Sequence, residues 1–133
     1  MFKRIAVALV VSGFAISASA QEIPAPCKPI VKVELACARG MLSAAEMNAG
    51  AVDADTISQL KEMIGPNGVE AGMRKNVLTI GARQQAENCA KPEIRTSTAA
   101  NMEGVAAAIG QLGGNPSPCL QAVGDLQNSS SAD

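Results

Sequence analysis

The chain has 133 residues, of which 47% are hydrophobic, and its 11 basic and 12 acidic side chains give a formal net charge of −1. It contains no histidine, tryptophan or tyrosine, and its two phenylalanines are Phe2 and Phe14. Without histidine the usual general base and metal ligand are missing, and without aromatic rings there is no platform on which sugars or bases stack. The composition therefore argues against an enzyme, a metal or cofactor site and a nucleic-acid-binding surface.

The first 20 residues have the pattern of a secretory signal peptide. Lys3 and Arg4 form a basic start, an apolar run follows over residues 5–16, and Ala-Ser-Ala at 18–20 predicts cleavage after Ala20. The run is shorter than the roughly 20 residues that a membrane-spanning helix needs. We therefore expect a periplasmic or secreted protein that is not inserted in a membrane after cleavage. Loss of the two basic residues leaves nine basic against 12 acidic side chains, a net charge near −3.

The rest of the chain predicts a helical domain over residues 21–127, followed by a flexible tail at 128–133. A first helix is expected from Pro29 to about Asn48, because apolar residues recur three and four positions apart. These residues are Ile30, Val33, Cys37, Met41 and Ala44. A strand over residues 30–35 is the competing interpretation, but the apolar pattern continues well past ordinary strand length.

Four more helices are predicted in chain order. The second begins after Asp53 or Asp55 and ends before a turn at residues 65–68, and the third runs without interruption from Val69 to about Cys89. The fourth spans residues 92–112, and the fifth begins at residues 117–118. The predicted fold class is all-α, a small single-domain bundle of about five helices stapled by two disulfides.

The four cysteines predict those two disulfides, because an even number in an exported chain is typical of a disulfide framework. Cys27 and Cys37 lie about 15 Å apart along one helix, and a whole helix separates Cys89 from Cys119, so neither pair is within bonding reach. Two crossed pairings remain. If successive helices alternate in direction, the starts of the first and fifth helices share one end of the bundle. This favours Cys27 with Cys119 and Cys37 with Cys89.

Neither the cysteines nor the methionines have the spacing of a metal or redox site. There is no Cys-x-x-Cys motif, and the methionines after residue 20 fall on the apolar stripes without a close Met-x-x-Met pair. A copper(I) site of thioether ligands is the alternative to core packing. Core packing is the favoured interpretation.

Charge is divided between the second and third predicted helices. Residues 51–70 hold four acidic side chains and one basic, whereas residues 71–95 hold five basic and two acidic. Such faces are usually solvated and pair with each other, but a divided field can also steer a partner protein. The candidate partner face is Arg74, Lys75 and Arg83, and the acidic face around Asp53, Asp55 and Glu62 is the alternative.

No motif in the chain names a reaction or a ligand. The expected function is that of a small, non-enzymatic interaction protein of the periplasm with a protein partner. Helical domains of this class occur among inhibitors, immunity proteins, chaperones and accessory parts of secretion machines, which is an analogy of class alone. The alternative is a carrier that holds a small apolar ligand in a cavity between its helices.

Overall fold

The structure, a computed structural model, describes residues 22–130. The predicted signal peptide at 1–20 and the last three residues of the predicted tail lie outside this range. A 3-10 turn at Ala25–Cys27 leads into six helices, and no strand occurs between residues 22 and 130. The helices are α1 (Lys28–Met47), α2 (Ala54–Ile64), α3 (Val69–Ile80), α4 (Ala82–Ala90), α5 (Pro92–Gln111) and α6 (Ser117–Ser130). The predicted all-α class is confirmed, and the last helix extends three residues beyond the predicted boundary at 127.

The first helix forms where the apolar pattern predicts it. Proline occupies its first turn, where the missing N–H costs no hydrogen bond. Four residues of the predicted stripe are buried and Met41 is packed against the same cluster. The strand interpretation for residues 30–35 is wrong, because these residues lie within α1.

The core lies mainly between α1, α5 and α6. The two long helices α1 and α5 run parallel, as contacts at both ends show: Arg95 Nη1 donates to the Pro26 carbonyl at 3.1 Å, and a Cβ atom on Gly40 would lie 2.9 Å from Ile109 Cδ1. Many buried side chains are alanine, which lets the helix axes approach closely. The core residues are Cys27, Ile30, Val33, Cys37, Ala44, Cys89, Ala99, Ala106, Ile109, Cys119, Ala122, Val123 and Leu126.

The last helix, α6, runs antiparallel to α1. Lys32 forms an ion pair with Asp125 at 3.0 Å, and further along α1 Cys37 is bonded to Cys119, which is earlier in α6. Residue numbers that rise along α1 therefore fall along α6. This direction is opposite to the one that a bundle of five alternating helices predicts.

The third predicted helix is interrupted at Gly81. This glycine has φ 93° and ψ 151°, so it ends α3 and precedes α4. A positive φ of this kind strains any residue that carries a Cβ atom. The chain from Val69 to Ala90 therefore forms two helices where the sequence predicts one.

The predicted disulfide pairing is wrong for the same reason. Cys27 is bonded to Cys89 with their Cα atoms 5.1 Å apart, and Cys37 is bonded to Cys119 with their Cα atoms 4.4 Å apart. The break at Gly81 adds one helix to the bundle, and one extra helix reverses the direction of every later helix. The end of α4 thereby returns to the start of α1, and the start of α6 lies beside the middle of α1.

The helices α2 and α3 cover a second side of α1. On α1 this side presents Val31, Ala38 and Ala45, which are buried but lie outside the main core cluster, and α3 contributes buried Val77. The helix α2 has no fully buried residue. The contact of α2 with α1 is therefore shallower than that of α5 and α6.

Candidate interaction face on the first helix

A third side of α1 is left uncovered by the other helices. The period of 3.6 residues per turn places six residues of α1 on this side, between the two packed sides. We call this side the α1 face; it consists of Lys28, Lys32, Leu35, Arg39, Leu42 and Glu46, which are all exposed or partly exposed. Three basic side chains and two leucines therefore share one stripe along the helix.

A hollow of about 590 Å³ lies between the first half of the α1 face and α3. Its apolar lining includes Val31, Leu35 and Ala36 of α1. Its charged lining comprises four basic side chains, Lys28, Lys32, Arg39 and Arg74, against two carboxylates, Glu22 and Glu70. The hollow is thus a positively charged trough with an apolar floor.

Arg39 lies where three hollows meet. Besides the first hollow, it lines one of about 390 Å³ toward α6, with Asn115 and Pro118, and one of about 570 Å³ toward α2, with Met47 and Ile64. Arg39 is exposed, and Met47 is 63% exposed. The three hollows make one continuous surface along α1 with an arginine near its centre.

Two of the basic groups on this surface are not neutralised by a neighbouring carboxylate. Lys32 pairs with Asp125 at 3.0 Å, and Arg74 pairs with Glu70 at 2.9 Å. Among residues 22–130, neither Lys28 nor Arg39 forms an ion pair. These two cations remain available to a carboxylate brought by another molecule.

The structure divides the predicted partner face between two helices. Arg74 on α3 lines the first hollow, whereas the exposed Lys75 beside it lines none of the three hollows. Arg83 lies beyond the break at Gly81, on α4, where its side chain is 94% exposed and pairs with Glu87 at 3.5 Å. Only Arg74 of the predicted set therefore belongs to the surface around α1.

One residue of the alternative acidic face, Asp53, has a structural role as a helix cap. The Asp53 carboxylate caps α2 by accepting a hydrogen bond of 2.7 Å from the backbone N–H of Thr56, and this bond lowers the pKa of Asp53. The opposite shift occurs on α1, where burial raises the pKa of Glu34. Neither carboxyl group lines a hollow around the α1 face. These shifts therefore mark a helix cap and a packed position.

Sequence reasoning missed Lys28, Lys32 and Arg39. A signal was present: once the core stripe of the first helix is assigned, these cations fall together on the remaining side at positions i, i+4 and i+11. These three cations are not apparent from the net charge of the helix, because α1 also carries Glu34 and Glu46.

A second arginine, Arg95, is only 4% exposed, and its guanidinium is hydrogen-bonded within the fold. Its Nη1 donates to the carbonyls of Pro26 and Cys89 at 3.1 and 3.3 Å, and its Nη2 donates to the Leu126 carbonyl at 3.3 Å and to Ser129 Oγ. Only Nε has no partner, and it is buried. This guanidinium is committed to three backbone carbonyls and one side-chain hydroxyl, and it lines none of the three hollows around α1.

No known protein family, curated protein or solved structure matches this chain. Within the described range there is no group of three or more cysteine and carboxylate side chains placed to hold a metal ion. No helix between residues 22 and 130 is long and apolar enough to cross a membrane. The two disulfides indicate an oxidising compartment outside the cytosol.

Proposed function

We propose that this chain is an exported, disulfide-stabilised interaction protein that binds a partner protein through the α1 face. The observation that carries the proposal is the position of Arg39, exposed and without an ion pair among the described residues, where three hollows meet. Arginine is enriched among the residues that contribute most to protein–protein binding. Apolar contacts from Leu35 and Leu42 on either side of it supply the area that a lone charge lacks.

Export fits this proposal. The disulfides join segments 62 and 82 residues apart, and such bonds are typical of oxidising compartments and rare in the reducing cytosol. The leader predicted at residues 1–20 would direct the chain there and then be removed by cleavage after Ala20. The periplasm is the compartment that we propose.

The shape of the hollows favours a macromolecular partner over a small apolar ligand. A carrier encloses most of its ligand's surface in a cavity, whereas the three hollows around α1 are open to solvent. The α1 face from Lys28 to Glu46 is also about 27 Å long at 1.5 Å per residue. An open surface of that length suits a segment of another protein.

Photo-cross-linking in cells tests this proposal. A benzophenone amino acid replaces Ser43, which is exposed and lines two of the hollows, and in a matched control it replaces the exposed Gln111 at the end of α5. We expect an adduct of defined mass at position 43 that is lost when Arg39→Glu is added, and no such adduct at position 111. Identical adducts at both positions, or none at position 43, would contradict a binding role for the α1 face.

A further inference from the structure

From Lys28 to Leu42 the α1 face combines apolar and cationic positions at helical spacing, and its last residue, Glu46, is acidic. Leu35 and Leu42 are seven residues apart, two turns of helix and about 10.5 Å along its axis. Lys28 and Lys32 lie before this pair, and Arg39 lies between its members. The occupant of such a surface needs apolar groups two turns apart with negative groups beside them.

The net charge of the side chains that line the first hollow is opposite in sign to that of the molecule. The first hollow carries four basic side chains against two carboxylates, while residues 21–133 carry nine basic against 12 acidic. Because the rest of the surface repels anions, complementary charge guides a negative segment to this position. From the proposed function and this complementarity, we propose that the occupant is an acidic amphipathic helix of the partner protein.

A helix fits better than an extended segment. Extended peptides gain affinity by pairing their backbone with the open edge of a sheet, and residues 22–130 contain no strand. The backbone groups in the middle of α1 are already bonded within the helix, so they offer an extended peptide no partner. A helical segment satisfies its own backbone and presents side chains at i and i+7 to Leu35 and Leu42.

Two basic side chains on this face can bind carboxylates of the partner helix. Lys28 and Arg39 are the basic groups without an ion pair within residues 22–130, about 16 Å apart along α1. The Arg39 guanidinium can donate two parallel hydrogen bonds to one carboxylate, which a lysine cannot do. Arg39 is therefore the anchor of the complex, and Lys28 sets the position of the helix along the trough.

Three synthetic peptides of about 18 residues test the occupant, a length that matches the α1 face at 1.5 Å per residue. The first is an amphipathic helix of Leu, Ala and Glu, the second replaces each Glu with Lys, and the third contains the residues of the first in an order without an apolar stripe. Titration into isotope-labelled residues 21–133 is followed by NMR. We expect the acidic amphipathic peptide to shift the amide signals of α1 and to bind at least about tenfold more tightly than the other two.

Charge reversal on the protein is a second test of the proposed acidic helix. The double variant Lys28→Glu/Arg39→Glu is expected to lose at least about tenfold in affinity for the acidic peptide and to gain affinity for the lysine peptide. The control Lys75→Glu/Lys91→Glu makes the same change in net charge at exposed positions away from the three hollows. Its affinities should stay within about twofold of the unmodified protein, since long-range charge effects are screened by salt.

The outcomes separate the two proposals. Equal binding of all three peptides, no binding of any, or shifts confined to other helices would overturn the acidic helix as occupant. If cross-links at position 43 are nevertheless found, the α1 face remains a protein-binding surface for a partner of different chemistry. Selective binding of the acidic peptide without cellular cross-links would support the occupant and contradict the proposed cellular function. Circular dichroism of both double variants shows whether a lost affinity reflects lost folding.

Discussion

At the scale of single residues, Arg95 is the clearest case of a charge used for structure. A buried cation ordinarily needs an anion, yet this guanidinium is surrounded by carbonyls from the turn before α1, the end of α4 and the end of α6. Helix carboxyl ends carry partial negative charge and unpaired carbonyl oxygens, which a guanidinium satisfies together. One side chain thereby joins three elements beside the Cys27–Cys89 disulfide.

Replacing Arg95 with methionine tests this role. Arg95→Met keeps an unbranched apolar side chain but removes the guanidinium and leaves buried carbonyls without donors, so we expect the free energy of unfolding to fall by about 3 kcal/mol. Arg83→Met, at the largely exposed partner of Glu87, should change it by less than about 0.5 kcal/mol. Urea unfolding followed by circular dichroism measures both. A similar loss in the two variants would show that Arg95 contributes no more than a surface ion pair.

At the scale of elements, the junction between α3 and α4 decides the course of the chain. Gly72 and Gly81 both interrupt the apolar pattern of residues 69–89, yet only Gly81 has a positive φ. Gly72 lies inside α3, where an added Cβ would meet nothing within 4 Å. The two glycines therefore allow a matched comparison.

The two substitutions are expected to have opposite signs. Gly81→Ala should lower the free energy of unfolding by about 1–2 kcal/mol, because a residue with a Cβ pays that amount at positive φ. Gly72→Ala should raise it by about 0.5–1 kcal/mol, since glycine is unfavourable in a helix interior. Chemical denaturation of both variants checks the signs. Stabilisation by Gly81→Ala would mean that α3 and α4 can join without strain.

At the scale of the whole molecule, the two disulfides compensate for a core built from small side chains. The apolar side chains buried among α1, α5 and α6 are alanine, valine, isoleucine, leucine and half-cystine, and both phenylalanines of the chain lie within residues 1–20. Small side chains bury less apolar area each than aromatic rings, so each contributes less to stability. The two cross-links restrict the unfolded chain and thereby add to the free energy of unfolding that the small side chains provide.

Removing each disulfide separately measures its contribution to the free energy of unfolding. The double variants Cys27→Ala/Cys89→Ala and Cys37→Ala/Cys119→Ala should each lose about 4 kcal/mol in the chain-entropy estimate, because the closed loops are of similar length. Loss of both should abolish cooperative unfolding. Non-reducing peptide mapping of the unmodified protein should find the same two pairs without a free thiol. Unfolding of the reduced protein at an unchanged urea concentration would contradict this account.

Much of the fold and part of the candidate site follow from local sequence. The apolar residues of α1 recur with the period of a helix, and a helix hydrogen-bonds within itself, so its position is readable without its neighbours. Pro29 and Asp53 mark the beginnings of α1 and α2 because proline and aspartate suit the first turn and the cap. Arg74, which the sequence predicts as part of a partner face, lines the first hollow, and its contact with a partner stays a prediction.

The sequence by itself determined an all-helical chain with an aliphatic core and two cross-links, because period and composition are local properties. The tertiary structure decided which cysteines meet and which side of α1 stays open. Whether a glycine interrupts a helix, as Gly81 does, or remains inside one, as Gly72 does, depends on the packing of distant segments. That one choice reverses α5 and α6 and places Cys119 beside Cys37.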